Sequence, residues 1–236
     1  MVVGGVLKRV VRRVLGAAGL GIVRLRDPYV EIARLLGADT VRNVVDGGAY
    51  RGVTVLRSHA LFPDATIHAF EPQRESFDVL RQRVGHLDHV RLHPMALSDV
   101  DGEHPFFVNE TAYTSSLLRA QTQAMHQVDQ RMVATRTLDS VMAALGDPAV
   151  DVIKLDLQGH ELVALRGATH TLARCRALLV EVNFRCRYEG ACSFEELTGF
   201  LGQHDFGLYR LYEIAVAGDT GWAHADALFL HPRASA

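Results

Sequence analysis

The chain has 236 residues, of which 48% are hydrophobic and 22% charged, and its formal net charge is -2. This length and composition are typical of one soluble folded domain, alone or with a small appendage, and the charge balance indicates no nucleic-acid partner. The three cysteines include no Cys-x-x-Cys pair, which argues against a disulfide framework or a zinc ribbon. A cytoplasmic location is therefore expected.

Residues 1–26 carry several basic side chains and no acidic one. Their apolar run, residues 14–23, is too short to cross a bilayer, which requires about 20 apolar residues. We predict that residues 1–35 form a basic helical extension and that residues 36–236 form the main domain. The extension either rests on an anionic membrane surface or packs on the domain, so peripheral membrane contact is an open alternative.

From residue 41 onward, short β-rich runs alternate with helical stretches. The runs predict strands at residues 41–46, 66–71, 90–97, 150–157, 177–184, 208–214 and 227–230. The remaining patterns predict helices at residues 53–62, 75–84, 137–145, 160–174 and 194–204, a hairpin arm at 102–109 and a polar helix at 119–128. Such alternation is typical of an α/β, Rossmann-like fold with a doubly wound, mostly parallel seven-stranded sheet and an antiparallel closing strand. Ligands bind such sheets at the carboxyl ends of the strands.

The first candidate site is the turn DGGAYRG, residues 46–52, between the first strand and the helix that follows it. Its glycines allow a tight turn and a close approach of the backbone to a ligand. An acid ahead of the glycines would repel the pyrophosphate of a dinucleotide, whereas it suits the ammonium group of S-adenosylmethionine, which carries no phosphate. We predict cofactor contacts at Asp46, Gly48, Tyr50 and Gly52, with a purely structural turn as the alternative.

Acidic or polar residues also follow the next two strands. Glu71 ends the second strand and is followed by Pro72. A carboxylate at this position can accept hydrogen bonds from both ribose hydroxyls of an adenosine, a feature that NAD-binding proteins share. Ser98 and Asp99 follow the third strand and are placed to bind the adenine, although an ordinary Ser-Asp turn explains them almost as well.

The fourth strand runs into the sequence KLDLQGHE, residues 154–161. Asp156 and Gln158 lie where this strand meets the cleft, and the acid can face the ammonium group of the cofactor or the hydroxyl of an acceptor. His160 begins the following helix at the same mouth, and a neutral imidazole there can take the acceptor proton during methyl transfer. Asp156 and His160 are the candidate catalytic residues; a capping or surface role for His160 is the alternative.

Hard oxygen ligands are predicted at the same edge of the sheet. Glu181 and Asn183 end the fifth strand on one face, and Asp156 ends the fourth strand. Carboxylate and amide oxygens are the ligands that Mg²⁺ prefers, and a metal would lower the pKa of an acceptor hydroxyl. Asp156, Glu181 and Asn183 are therefore a candidate Mg²⁺ site, with a metal-free reaction as the alternative.

Six motifs occur in order along the chain: VVDGGAYRG, HAFEPQRESFDVL, ALSDVDGEHPF, TSSLL, TRTLDSV and IKLDLQGHELVALRGA. Together they resemble the FkbM family of methyltransferases over roughly residues 40–215. The resemblance implies the class I methyltransferase fold, S-adenosylmethionine as cofactor, and O-methylation, often of sugars, glycolipids or polyketide natural products. It also implies cofactor contacts at Asp46, Gly48, Glu71, Ser98 and Asp99, with Asp156 near the methyl group.

Three functions remain open from the sequence. The first is an S-adenosylmethionine-dependent O-methyltransferase that acts on a small-molecule hydroxyl acceptor. The second is an NAD-type oxidoreductase, which the acid-led turn disfavours, and the third is a non-catalytic adenosine-binding relative. No Asn/Asp-Pro-Pro-Tyr/Phe motif of amino-group methylation follows the fourth strand, which favours an oxygen acceptor. Residues 109–132, with Tyr113, Ser115 and Ser116, are expected to enclose the acceptor, and the oligomeric state stays open.

Overall fold

The computed structural model describes residues 27–121, 125–216 and 221–235. Within these ranges the strands are β1 Asn43–Gly47, β2 Thr66–Phe70, β3 Val90–His93, β4 Ala96–Leu97, β5 Gly102–Asn109, β6 Gln127–Arg136, β7 Val152–Leu155, β8 Ala177–Asn183, β9 Gly207–Val216 and β10 Trp222–Leu230. The α-helices are α1 Pro28–Leu36, α2 Val53–Leu61, α3 Arg74–Val84, α4 Leu138–Ala144, α5 Glu161–Arg166, α6 Thr169–Leu172 and α7 Phe194–Gln203. Short 3₁₀ helices lie at Ala38–Thr40, Ala112–Thr114 and Pro232–Ser235.

Seven of the strands form one sheet in the order β3-β2-β1-β7-β8-β10-β9. Strand β10 runs antiparallel to both of its neighbours, and the pairs from β3 to β8 are all parallel. The predicted doubly wound, mostly parallel seven-stranded sheet with an antiparallel closing strand is confirmed. The apolar runs become central strands because helices cover both faces of a parallel sheet.

Two apolar clusters pack on the two faces of this sheet. One contains Leu165, Leu178 and Phe229, and helices α4 to α7 contribute to it. The other contains Ile32 and Ile67, and helices α1 to α3 contribute to it. Burial of this apolar area is the main stabilising contribution to the fold, and it fixes the strand ends that carry the polar residues.

Helix α1 packs on the sheet, although the sequence assigns most of it to an extension. The Asp27 side chain caps the helix by accepting the backbone N–H of Tyr29 at 2.9 Å. Tyr29 and Ile32 are buried in the second apolar cluster. The rest of the predicted basic extension, residues 1–26, and its predicted membrane contact lie outside the described residues. Within the described ranges, no helix is both long and apolar enough to span a membrane.

The single strand predicted at residues 90–97 is wrong, because two strands of different sheets occupy that range. Strand β3 ends at His93, and β4 pairs with β6 in a three-stranded sheet of order β4-β6-β5. Pro94 separates the two strands, and proline has no backbone N–H with which to continue a ladder. The polypeptide therefore leaves the central sheet at this residue.

The polar helix predicted at residues 119–128 is also wrong for the part of that range that the structure describes, residues 119–121 and 125–128. Residues 127–136 form β6, which pairs antiparallel with β5 from Glu103↔Ala134 to Phe107↔Gln130 and beyond. The arm predicted at residues 102–109 is confirmed as β5. Pairing with β5 overrides the helical preference of a polar sequence, because strand formation depends on neighbours that are distant in the chain.

The helix predicted at residues 160–174 is divided into α5 and α6. Gly167 lies between them, and a Cβ atom at this position would collide with the backbone carbonyl oxygen of Ser98. Glycine allows the loop after β4 to approach the end of α5 at this point. The break therefore brings Ser98 close to the residues that begin α5.

Candidate cofactor and catalytic cleft

The carboxyl ends of β1, β2 and β7 meet at one edge of the central sheet and open into a cleft. Its empty volume is about 920 Å³, including the part open to solvent, which is ample for a nucleoside-sized ligand. The predicted site residues that line the cleft are Gly48, Tyr50, Glu71, Pro72, Asp156 and His160. Those that lie outside its lining are Asp46, Gly52, Ser98, Asp99, Glu181 and Asn183.

The turn at residues 46–52 brings the backbone after β1 against the end of β7. Gly48 has a φ of 74°, and a Cβ atom there would collide with the backbone carbonyl oxygen of Asp156. Glycine is therefore required at this position. Tyr50 also has a positive φ, 47°, and its backbone N–H donates to Glu71 Oε2 at 2.9 Å. The turn thus joins the ends of three strands.

Asp46 lies beneath the turn and forms an ion pair with Lys154, a residue to which the sequence assigned no role. Lys154 Nζ is 3.0 Å from Asp46 Oδ1 and 2.9 Å from the Gly48 carbonyl oxygen, and the Thr54 hydroxyl donates to Asp46 Oδ2. Burial lowers the pKa of Lys154, but Asp46 and then Asp156 raise it by more, so the ammonium group stays charged. Asp46 therefore holds the turn, and its contact with a cofactor ammonium group stays a prediction.

Glu71 faces the cleft with both carboxylate oxygens oriented by the backbone. Oε2 accepts the N–H of Tyr50, and Oε1 accepts the N–H of Gln73 at 2.8 Å. Burial raises the pKa of Glu71 to about 7, although these two hydrogen bonds favour the charged form. Each oxygen keeps a lone pair for a ligand, an arrangement that suits two adjacent hydroxyl groups.

Gln158 links two carboxyl groups at the ends of β7 and β8. Its Nε2 donates to Asp156 Oδ1 at 2.7 Å and to Glu181 Oε2 at 2.8 Å. Burial and then the charge of Asp156 raise the pKa of Glu181 well above its usual value. Burial also raises the pKa of Asp156, but the charge of Lys154 and a hydrogen bond with Glu181 lower it by more. The pKa of Asp156 therefore lies below its usual value. Of the two carboxyl groups, Asp156 is therefore the one whose surroundings favour the charged form.

The structure gives no support to the Mg²⁺ site predicted at Asp156, Glu181 and Asn183. The amide nitrogen of Gln158 lies between the two carboxyl groups, and Arg187 Nη1 is 3.8 Å from Glu181 Oε1. Both groups are hydrogen-bond donors that repel a cation, so the donor set does not fit Mg²⁺. In the described part of the chain, no three His, Cys, Asp or Glu side chains are grouped for metal binding.

Ser98 connects Asp99 to His160. The Ser98 hydroxyl is 3.3 Å from Asp99 Oδ1 and 3.2 Å from His160 Nε2. Because the Ser98 hydroxyl donates its proton to the Asp99 carboxylate, it accepts a hydrogen bond from the Nε2–H group of His160. In this tautomer Nδ1 carries no proton and is the basic nitrogen. Burial lowers the pKa of His160 to about 4, so its imidazole is neutral near pH 7. The predicted adenine contacts of Ser98 and Asp99, and the role of His160 as a base, stay predictions.

The arm formed by β5, β6 and the 3₁₀ helix between them covers the cleft. Its residues that line the cleft are Phe106, Ala112, Tyr113, Ser115 and Leu117. Ser116 Oγ donates to the Gln158 carbonyl oxygen at 2.9 Å. The Tyr188 hydroxyl is 2.7 Å from Gln158 Oε1 and 2.9 Å from the Thr114 carbonyl oxygen. Gln158, which the sequence placed at the mouth of the cleft, and Tyr188, to which it assigned no role, attach the arm to the end of β7.

The sheet order and the position of the cleft define the fold of class I methyltransferases. Residues 46–208 match the family model described as the Methyltransferase FkbM domain. This match covers more than half of the chain, and the protein belongs to the FkbM methyltransferase family.

Individual proteins resemble the chain more distantly. The 2-O-methyltransferase NoeI from Sinorhizobium fredii (strain NBRC 101917 / NGR234) is 27% identical over 189 residues, which are 75% of this chain and 77% of the relative. The structure of an rRNA methylase from Streptococcus thermophilus gives a TM-score of 0.52 at 12% identity and covers 89% of this chain and 99% of that one. The structure of cofactor-bound Rv0187 from MTB gives 0.52 at 16% identity, with 92% and 85% covered. At such identities the two structures confirm the fold alone.

Proposed function

We propose that the protein is an S-adenosylmethionine-dependent O-methyltransferase that methylates a hydroxyl of a sugar, glycolipid or natural product. The observation that carries this proposal is the cleft's combination of Glu71, oriented by two backbone N–H groups, with Asp156, whose surroundings favour the charged form. The first suits a ribose and the second suits a cationic methyl donor. The FkbM family supports methyl transfer, and the name of the NoeI relative supports an oxygen acceptor.

The cofactor's position in this proposal follows the order of the strands. Glu71 and Pro72 would hold its ribose, and Ser98 and Asp99 would hold its adenine. The turn that contains Gly48, Tyr50 and Gly52, together with Asp156, would hold its methionyl part. The ion pair of Asp46 with Lys154 keeps this turn in the required shape.

Bound S-adenosylmethionine supplies a methyl group whose carbon–sulfur bond breaks, with the electron pair left on sulfur, as the carbon–oxygen bond to the acceptor forms. The cleft residues contribute mainly by holding the acceptor oxygen in line with that bond. The O–H bond of the acceptor also breaks, and we assign its proton to His160 Nδ1. This atom is buried and has no hydrogen-bond partner among the described residues.

Calorimetric titration with S-adenosylhomocysteine and, separately, with NAD tests the cofactor. We expect S-adenosylhomocysteine to bind and NAD not to bind, because the charge at Asp156 repels a pyrophosphate. Binding of NAD alone would favour the oxidoreductase, and binding of neither would favour a non-catalytic relative. Transfer of labelled methyl to a panel of methyl glycosides and natural-product alcohols then tests the acceptor class.

The His160→Ala variant tests the proton acceptor. We expect kcat to fall by about 10²-fold or more, since a positioned base contributes roughly that factor, while the affinity for S-adenosylhomocysteine changes little. The exposed His86→Ala variant is the matched control. A rate for His160→Ala equal to that of the control would remove the assignment.

A further inference from the structure

The edge of the central sheet at which the cleft opens carries exposed apolar side chains. Val53 and Tyr113 line the cleft and are 63% and 64% exposed. Strand β10 runs antiparallel to β8, so its first residue, Trp222, lies at this edge, and the register partner of Trp222 is Val216 on β9. Trp222 and Val216 are 53% and 63% exposed. Exposed apolar side chains therefore lie both in the mouth of the cleft and at the strand ends of the same edge.

Helix α1 begins at the same edge. Asp27, which caps α1, forms an ion pair with Arg57. Arg57 lies about one helical turn after Val53 on α2, and Val53 lines the cleft. The first turns of α1 and α2 therefore lie beside the mouth of the cleft, and they expose Val30 and Leu56.

We name these side chains the apolar rim, which consists of Val30, Val53, Leu56, Tyr113, Val216 and Trp222. Single exposed apolar residues are common on soluble proteins, but several of them at one edge indicate a surface that a partner covers. Trp222 and Tyr113 are aromatic residues with one polar atom each, and such side chains are favoured at the boundary between lipid and water. The Trp222 ring packs on that of Phe184, with 5.4 Å between the ring centroids.

The charge of the chain beside the rim indicates which partner it fits. Residues 1–26, which lie outside the described residues, carry six basic side chains and no acidic one, and they directly precede Asp27. Within the cleft lining, Arg51 is exposed, and its guanidinium carbon lies 5.0 Å from the centre of the Tyr50 ring. Apolar side chains next to basic ones are the combination that binds a surface of anionic lipids.

We propose that the apolar rim docks on the surface of an anionic lipid bilayer, so that the cleft opens toward the lipid headgroups. The basic charge of residues 1–26 attracts the anionic surface, and the rim supplies the apolar area that leaves water on binding. This inference concerns a binding partner and does not depend on the proposed methyltransferase function, so the two can fail separately.

Trp222 is the only tryptophan of the chain, so intrinsic fluorescence reports on the rim. We expect the protein to sediment with vesicles of equal parts phosphatidylglycerol and phosphatidylcholine, and its emission to shift to shorter wavelengths as the indole leaves water. Vesicles of phosphatidylcholine alone should bind it about tenfold or more weakly, because they carry no net charge. Binding to the anionic vesicles should also weaken as the salt concentration rises.

Two results of these measurements would overturn the proposal. One is an emission spectrum that anionic vesicles leave unchanged, which would show that the rim does not meet the lipid. The other is an emission shift that depends on protein concentration in the absence of vesicles, which would show that a second copy of the chain covers the rim.

The two ends of β9 provide a matched pair of substitutions. Val216→Glu places a charge on the rim and should lower the partition coefficient for the anionic vesicles about tenfold or more, as expected when the burial of one valine side chain is lost. Leu208→Glu makes the same kind of change at the opposite edge of the sheet, where the leucine is 46% exposed, and should bind as the wild-type protein does.

Leu56→Glu tests the part of the rim that α2 contributes and should weaken vesicle binding as Val216→Glu does. If Val216→Glu and Leu56→Glu both bind as tightly as Leu208→Glu, the rim does not touch the bilayer and the proposal is wrong.

Discussion

Glu71 combines two opposing influences on one carboxyl group. Burial favours the neutral form, and the N–H groups of Gln73 and Tyr50 favour the charged form, with the result that its pKa is about 7. The charge of this residue therefore changes within the physiological pH range. Two ribose hydroxyls can both donate only to the ionised form, so ligand binding and proton release from Glu71 should be linked.

We expect the affinity for S-adenosylhomocysteine to rise as pH increases from about 6 to 8, because Glu71 loses its proton over this range. The Glu71→Gln variant should bind about 10- to 100-fold more weakly at pH 8, since hydrogen bonds to a charged group are worth about 1.5–3 kcal/mol. Its affinity should also be nearly independent of pH. Calorimetric titrations of both proteins across this range provide the measurement, and parallel pH profiles would contradict the assignment.

At the scale of elements, the β5–β6 arm depends on the loop after β7 for its position. Ser116 donates to the Gln158 carbonyl oxygen, and Tyr188 lies within hydrogen-bond distance of both Gln158 Oε1 and the Thr114 carbonyl oxygen. The same Gln158 side chain donates to Asp156. The position of the arm and the orientation of the Asp156 carboxylate are therefore coupled through one amide group.

Tyr188→Phe removes a single hydroxyl from this connection. We expect kcat to fall severalfold and the free energy of unfolding to decrease by about 1 kcal/mol, the typical loss for one buried hydrogen bond. The affinity for S-adenosylhomocysteine should change little, because Glu71 is not involved. Steady-state kinetics and urea unfolding measure these effects.

The matched control for Tyr188→Phe is Tyr209→Phe. Tyr209 donates to Glu31 on α1, a residue outside the cleft lining. This substitution removes the same chemical group and should leave kcat unchanged. An identical kcat for both variants would show that the arm does not influence the catalytic site.

A local sequence pattern predicts a helix or strand correctly when all residues of that element are buried to a similar degree. All seven residues of β8 are buried, and the run of apolar residues predicts this strand almost to its ends. The first six residues of β6 are exposed, and the helix predicted at residues 119–128 runs into the start of this strand. Strand β6 exists because β5 pairs with it, and no local pattern contains this information.

The sequence likewise predicted only part of the candidate site. A polar residue directly after a buried strand indicates a position at the edge of the sheet, and this rule located Asp46, Glu71 and Asp156. The side-chain connections were not predictable, because they depend on strand register. Lys154 meets Asp46 only because the two residues are partners in the β1–β7 ladder. Gln158 reaches two carboxyl groups from a backbone with a φ of 55°, which the sequence does not reveal.

For the whole molecule, buried titratable groups make stability depend on pH. Burial lowers the pKa of His68 and of His160 to about 4, whereas the unfolded chain has values near 6.5. Below about pH 6.5 the unfolded state takes up protons that the folded state excludes, so these residues reduce stability as pH falls toward 4. Burial raises the pKa of Glu71 and Glu161 to about 7. The stability that these two carboxyl groups contribute is therefore lost as pH rises through 7, a pH dependence opposite to that of the histidines.

His68→Gln removes one imidazole and leaves the carboxyl groups in place. Between about pH 6.5 and 4, the wild-type protein should lose stability relative to the variant by up to about 1.4 kcal/mol per pH unit, because glutamine does not titrate. Urea unfolding of both proteins at a series of pH values measures the difference. A difference that stays constant over this range would contradict the effect assigned to His68.

A crystal structure of the protein grown with S-adenosylhomocysteine would show whether the cleft binds the cofactor as proposed. We expect the ligand to fill the cleft with both ribose hydroxyls about 2.7 Å from the Glu71 oxygens and its amino-acid end over the Gly48 turn, toward Asp156. An empty cleft in crystals grown with saturating ligand, or an adenosine bound away from Glu71, would contradict this expectation.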